Sequence, residues 1–124
     1  MAFHFKLESV RKLRRSTRDE KRVSLGEAVA GESEILRRID ALRSRLGRLK
    51  EERRRAPFTL ENLRRYDAFE QKLLAEIRAA ETELAEARRD VEVRREALVV
   101  ADREVKTLDR LEEKQREAYL KKRA

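Results

Sequence analysis

At 124 residues, with 47% charged and only 5% aromatic side chains, the chain has too few large apolar groups for a closed globular core; its 40% hydrophobic content is too high for a disordered tail. The absence of cysteine excludes a disulfide framework and thiolate metal ligation, and fits a reducing compartment. The net charge of +8 lies wholly in the first half, where residues 1–56 hold 17 basic and 9 acidic side chains against 16 of each in the remainder.

A basic half-chain suits an acidic protein surface, nucleic acid or anionic lipid. Interleaved acids at Glu32, Glu34, Asp40, Glu51 and Glu52 break any continuous phosphate track, so a solvated helix face accounts for the charge as well. The N-terminus has no apolar leader core, and no run approaches the roughly 18 apolar residues of a membrane span, so a soluble, unexported chain is expected.

In chain order, Leu7, Val10 and Leu13 open a helical pattern that then lapses. The nine residues from Arg14 to Arg22 carry no apolar side chain, and Gly26 and Gly31 follow, each costing about 1 kcal/mol relative to alanine inside a helix. This reads as a weakened stretch, leaving Leu98, Val99 and Val100 opposite it without a mate and open to contact with another protein. The pattern resumes with Ile35, Ile39, Leu42, Leu46 and Leu49 in a four-three rhythm. Pro57, the only proline, ends the helix and pushes Ala56 out of the α region. Thr59 is placed to cap the next helix, Glu61 sits in its first turn, and Phe58 and Leu63 have hydrophobic-staple spacing.

From Leu63 the seam runs Tyr66, Glu70, Leu73, Ile77, Ala80, Leu84, Ala87, Val91, Arg94, Leu98, Ala101, Val105 and Leu108, broken only by Glu70 and Arg94. Both halves want a partner and can supply it to each other. The pairs Leu49 with Tyr66, Leu46 with Phe69, Leu42 with Leu73, Ile35 with Ala80, Ala28 with Ala87, Val10 with Val105 and Leu7 with Leu108 all have numbers summing to 115. The expected fold is all-α: a long antiparallel two-helix coiled-coil hairpin forming one domain over residues 1–124. Its first helix is about 7–54, its turn about 55–59 and its second helix about 60–122. The helices would span ~70 Å and ~95 Å, so the second overhangs at the open end, where Phe3 and Phe5 are left to cover Leu111, Tyr119 and Leu120.

No catalytic, cofactor or metal site is expected. His4 is the only histidine, the three glycines lie in helical pattern rather than after a strand, and a two-helix pair offers no water-excluding cleft for a carboxylate pair. Arg11, Lys12, Arg14, Arg15, Arg18, Lys21 and Arg22 resemble a basic helix able to lie along phosphates, but lack the residues that read base edges, so nucleic acid is not expected as a partner.

Three stretches resemble the flagellar FliJ family: Phe3-His4-Phe5-Lys6-Leu7-Glu8-Ser9-Val10-Arg11-Lys12-Leu13-Arg14, then Tyr66-Asp67-Ala68-Phe69 with Leu73, then Ala101 to Lys114 (ADREVKTLDRLEEK). The resemblance implies a non-catalytic cytoplasmic component of the flagellar type III export apparatus. It further implies binding to the hexameric export ATPase FliI by the open end, contact with the cytoplasmic domain of the export-gate protein FlhA, and escort of export chaperones. Such a chain is a monomer when free and meets the inner membrane's cytoplasmic face only through partners. By family spacing the gate-binding surface falls on Leu42, Arg45, Leu49, Phe69, Leu73 and Glu76, of which Leu42, Leu49 and Leu73 are also seam residues. For the ATPase end, charge and placement single out Arg11, Arg14, Arg15, Arg18, Arg110, Lys114 and Tyr119. A stalk protein of a virulence secretion system and a scaffold unrelated to export remain open alternatives.

Overall fold

The computed structural model describes residues 2–123 and contains two helices, α1 (Glu8–Arg55) and α2 (Leu60–Arg123), packed together as an all-α hairpin. α1 begins with Glu8 at its positive dipole end and finishes on Arg53, Arg54 and Arg55 at its negative end. The linker of residues 56–59 is irregular. Thr59 caps α2 by accepting from the Asn62 backbone N–H through Oγ1 at 3.0 Å, and Asn62 Nδ2 donates back to the Pro57 carbonyl at 2.9 Å. The staple does not form: Phe58 is 93% exposed.

The chain divides into two compact units, residues 1–28 with 91–124 and residues 29–90. In the second unit the core is Ile39, Leu42, Leu73, Ile77, Ala80 and Leu84, with Ile35, Leu46 and Leu49 packed against it. These are the four-three positions of both helices, so each stripe buries against the other. Cross-helix ion pairs flank the core: Arg43 with Glu81 at 3.0 Å, Arg53 with Glu70 at 2.9 Å, Arg88 with Glu32 at 3.4 Å, and Arg38 with Glu83. Pairs this exposed contribute little stability each, but they report the register.

That register is not the expected one. The paired residue numbers in this unit add to more than 115 in every case. Side chains of an antiparallel pair lean toward opposite ends, each toward its own N-terminus, which inflates such sums by a few residues; after that allowance, facing seam residues add to about 119. The shift is one core layer, and it brings Leu42 level with Ile77 rather than with Leu73. In this register α2 begins beyond the end of α1 instead of level with it, a gap that the irregular linker spans.

The first unit is built differently. Counting heptads back from Ile39 and Ile35 lands on Ala28, Leu25, Lys21, Arg18, Arg14 and Arg11, so Leu13 falls outside the seam and is 63% exposed, while Val10 at its edge is 39% exposed. The expected pairs Leu7 with Leu108 and Val10 with Val105 therefore do not form the core. The buried residues are Phe5, Ala28, Val91, Ala101 and Val105, and two arginine stems add cover beside them: the side chains of Arg11 and Arg18 are only 15% and 20% exposed, while Arg14 and Lys21 stay exposed. Opposite this stretch Ala101 and Val105 are 5% and 1% exposed, so the polar run does not leave its partner helix uncovered. Only Val99 and Val100, at 43% and 53%, remain outside, with Leu98 half-buried. Gly26 and Gly31 sit within unbroken helix.

Candidate functional site

One groove in the second unit is lined by Arg45, Arg48, Leu49 and Glu52 from α1 and by Phe69, Lys72, Leu73 and Glu76 from α2, and encloses about 300 Å³. It forms because the flanking heptad positions Arg45, Glu52, Phe69 and Glu76 rise beside the seam, while Leu49 and Leu73 make its floor. Five of the six residues expected at the gate-binding surface thus meet in one place. Leu42 lies in an adjoining groove with Arg38, Ala79, Ala80, Glu83 and the shared Glu76.

Burial separates the six. Leu42 and Leu73 are 8% and 7% exposed and belong to the hydrophobic core. Phe69 is 51% exposed, so its ring is presented at the surface rather than in the seam opposite Leu46. Its place in the seam goes to Glu70, whose carboxylate accepts from Arg53 at 2.9 Å and lies 3.9 Å from Lys50 Nζ. Arg48, Glu52 and Lys72 join the groove without having been expected there; they sit three residues after Arg45, seven after it and three after Phe69, the spacings that stack side chains on one helix edge.

The residues expected at the ATPase end all fall in the first unit. Arg11 is committed internally: its guanidinium lies 5.5 Å from the Phe5 ring centroid, donates to Glu8 at 2.6 Å and sits 3.7 Å from both Asp109 and Glu112. Its Nε is buried with no hydrogen-bond partner. Arg14 pairs with Glu104 at 3.2 Å and Arg15 with Asp109 at 3.0 Å, both at more than 40% side-chain exposure, and Arg18 pairs with Asp19 at 3.2 Å. Tyr119 packs its ring 5.7 Å from Phe3, which carries the Arg116 guanidinium 5.5 Å from its centroid. Arg110 and Lys114 are exposed.

Among the described residues there is no group of three or more His, Cys, Asp or Glu able to hold a metal ion, and no helix long and apolar enough to cross a membrane. Among the described residues one carboxyl is perturbed: Asp102 is held below the usual aspartate value chiefly by its hydrogen bond with Lys106, which outweighs the opposing effect of desolvation, with further lowering from the charges of Lys106, Arg18 and Arg22. Such a half-buried, ion-paired acid stays ionised and has no role as a proton donor near neutrality.

The family model for the flagellar FliJ protein matches residues 3–124. The chain belongs to the FliJ family. No curated protein and no solved structure matches it significantly. FliJ membership makes it a flagellar, export-related coiled-coil protein. On this FliJ hairpin, the surfaces that stand out are the mixed-charge groove around Phe69 and the arginine-rich first unit.

Proposed function

We propose that the chain is a non-catalytic component of the flagellar type III export apparatus that joins the export ATPase to the export gate and escorts export chaperones. In this reading the first unit, carrying both chain ends, meets the ATPase hexamer FliI through Arg14, Arg15, Arg110 and Lys114, whose exposure leaves them accessible to an acidic partner surface. Arg11 and Arg18 contribute there by holding the unit together, and Tyr119 by packing on Phe3.

The gate protein's cytoplasmic domain meets the groove of the second unit. The observation that carries this is the convergence of Arg45, Leu49, Phe69, Leu73 and Glu76 on one groove, with Phe69 half-exposed above a floor of buried Leu73 and half-buried Leu49. An exposed aromatic flanked by Arg and Glu is the composition of an interface anchor. Leu42 and Leu73 support the groove from beneath. The assembly sits at the cytoplasmic face of the inner membrane.

Titration of the purified chain against the gate protein's cytoplasmic domain tests the reading. Phe69→Ala should weaken binding about tenfold or more, as loss of a central aromatic anchor does, with helix content unchanged. Arg45→Ala combined with Glu76→Ala should weaken it further. Undiminished binding by the triple variant removes the groove from the interface, and failure of the intact chain to bind either the ATPase or the gate domain favours a scaffold unrelated to export.

A further inference from the structure

The hairpin's linker end carries a feature that neither helix packing nor the groove uses. Phe58 is 93% exposed and Leu60 63% exposed, with Leu63 beneath them at 39%. Apolar side chains this exposed, clustered where the chain reverses, cost solubility and contribute nothing to the core. The backbone around them is well fixed: Pro57 restricts one side, and the Thr59 cap with the Asn62 to Pro57 hydrogen bond restricts the other. Phe58 is therefore held outward by a braced loop.

The surrounding charge is one-sided. Between residues 53 and 66 the sequence has Arg53, Arg54, Arg55, Arg64 and Arg65, and a single acid, Glu61. Arg54 and Arg55 are 75% and 77% exposed and share one carboxylate oxygen of Glu51, at 2.6 Å and 3.3 Å, so positive charge remains after pairing. Arg53 is drawn inward to Glu70, while Arg65 lies 5.3 Å from the Tyr66 ring centroid. The cations come from the last turn of α1 and the second turn of α2, so they lie on both sides of the apolar knob.

We propose that this end of the hairpin docks on an anionic lipid bilayer, inserting Phe58 and Leu60 at the headgroup boundary while the arginines meet lipid phosphates. Apolar side chains entering roughly 5–10 Å, backed by long cationic chains that reach the phosphate level, is the arrangement by which peripheral proteins bind such surfaces. An exposed apolar pair, Phe58 and Leu60, with cations supplied from both helices matches a fluid anionic plane better than a protein pocket, which would supply acids at a few fixed positions. This contact is direct, made by the chain's own residues.

The chain has no tryptophan, so Phe58→Trp places one reporter at the insertion point. The intact chain should sediment with phosphatidylglycerol-rich vesicles and not with pure phosphatidylcholine vesicles, with binding reduced several-fold by raised salt. On binding, the indole emission of the Phe58→Trp variant should shift to the blue and be quenched by acyl-chain-brominated lipid. Phe58→Ser with Leu60→Ser should lower partitioning about tenfold or more, and Arg54→Gln with Arg55→Gln several-fold; both pairs are exposed, and circular dichroism verifies an unchanged fold. The proposal is overturned by absence of vesicle binding, by binding without a blue shift, or by binding undiminished in the double-serine variant. The last result would assign the contact to the basic last turn of α2, Lys121, Lys122 and Arg123, instead.

Discussion

Arg11 should contribute to the stability of the first unit, and the size and pattern of the effect can be worked out from its contacts. Replacing it by alanine removes the donor to Glu8, the pairs with Asp109 and Glu112 and the contact over Phe5. Breaking a fully buried ion pair costs about 3–5 kcal/mol, chiefly because the partner is stranded. Here the partners are not stranded: Asp109 keeps Arg15 at 3.0 Å and Glu112 keeps Arg116 at 2.7 Å. What is lost is about 1 kcal/mol of cation–π contact, a charged hydrogen bond on a partly exposed acid, and the cover that the stem gives to Phe5. The expected cost of Arg11→Ala is about 2 kcal/mol, or a melting midpoint lowered by roughly 8 °C. Arg11→Leu is the informative comparison. Leucine fits a heptad core position, restores apolar cover and removes the buried unpartnered Nε, so this variant should lose less than about half as much. Urea unfolding followed by helical circular dichroism measures both. Equal destabilisation by leucine and alanine would show that the charge, not the covering stem, is what the position requires, and would refute the account of an arginine stem covering the seam.

Gly26→Ala and Gly31→Ala should each raise stability by about 0.5–1 kcal/mol, because both glycines lie in helix with no positive φ and an added methyl meets nothing within 4 Å; chemical denaturation of the single and double variants reads the gain, and a loss in either would reveal a need for glycine there. Asp102 should titrate below the usual aspartate value in a carboxyl-detected NMR experiment, and Lys106→Gln should move it back upward. Since its folded value is depressed, its stabilising effect is present above the unfolded aspartate range and is lost as pH falls through the lowered value, so Lys106→Gln should make stability less sensitive to acid in that window.

How much was legible in the sequence depended on how directly a residue's chemistry stated its position. Pro57 and Thr59 marked the reversal because a missing N–H and a capping hydroxyl act locally. The α2 seam was legible because its heptads are apolar, and Glu70 and Arg94 stood out as its two interruptions; the structure gives each a partner, Arg53 for Glu70 and the Ser24 carbonyl for Arg94. The first part of α1 was not legible in the same way. There the stems of Arg11 and Arg18 take seam positions, and a search for apolar residues finds Val10 and Leu13 instead, which stand at the seam's edge or beyond it. The register failed for a geometric reason: a sum of 115 sets Arg55 level with Leu60, whereas α2 begins beyond the end of α1. At the groove, the family resemblance brought Leu42 and Phe69 into one set, but one is a core residue and the other half-exposed, a distinction that needs the register and the burial together.

The linker of residues 56–59 has a consequence for how the molecule would respond to being cut. As one chain, the two helices are held at the high effective concentration of a short tether, so their pairing does not depend on how much protein is present. Phe58, exposed in the linker, is an accessible site for a protease that cleaves after aromatic residues. A single nick there removes no core contact, yet it turns pairing into a second-order reaction. The fragments would then hold together above some total concentration and part below it, with the arginine-rich end the more sensitive to salt.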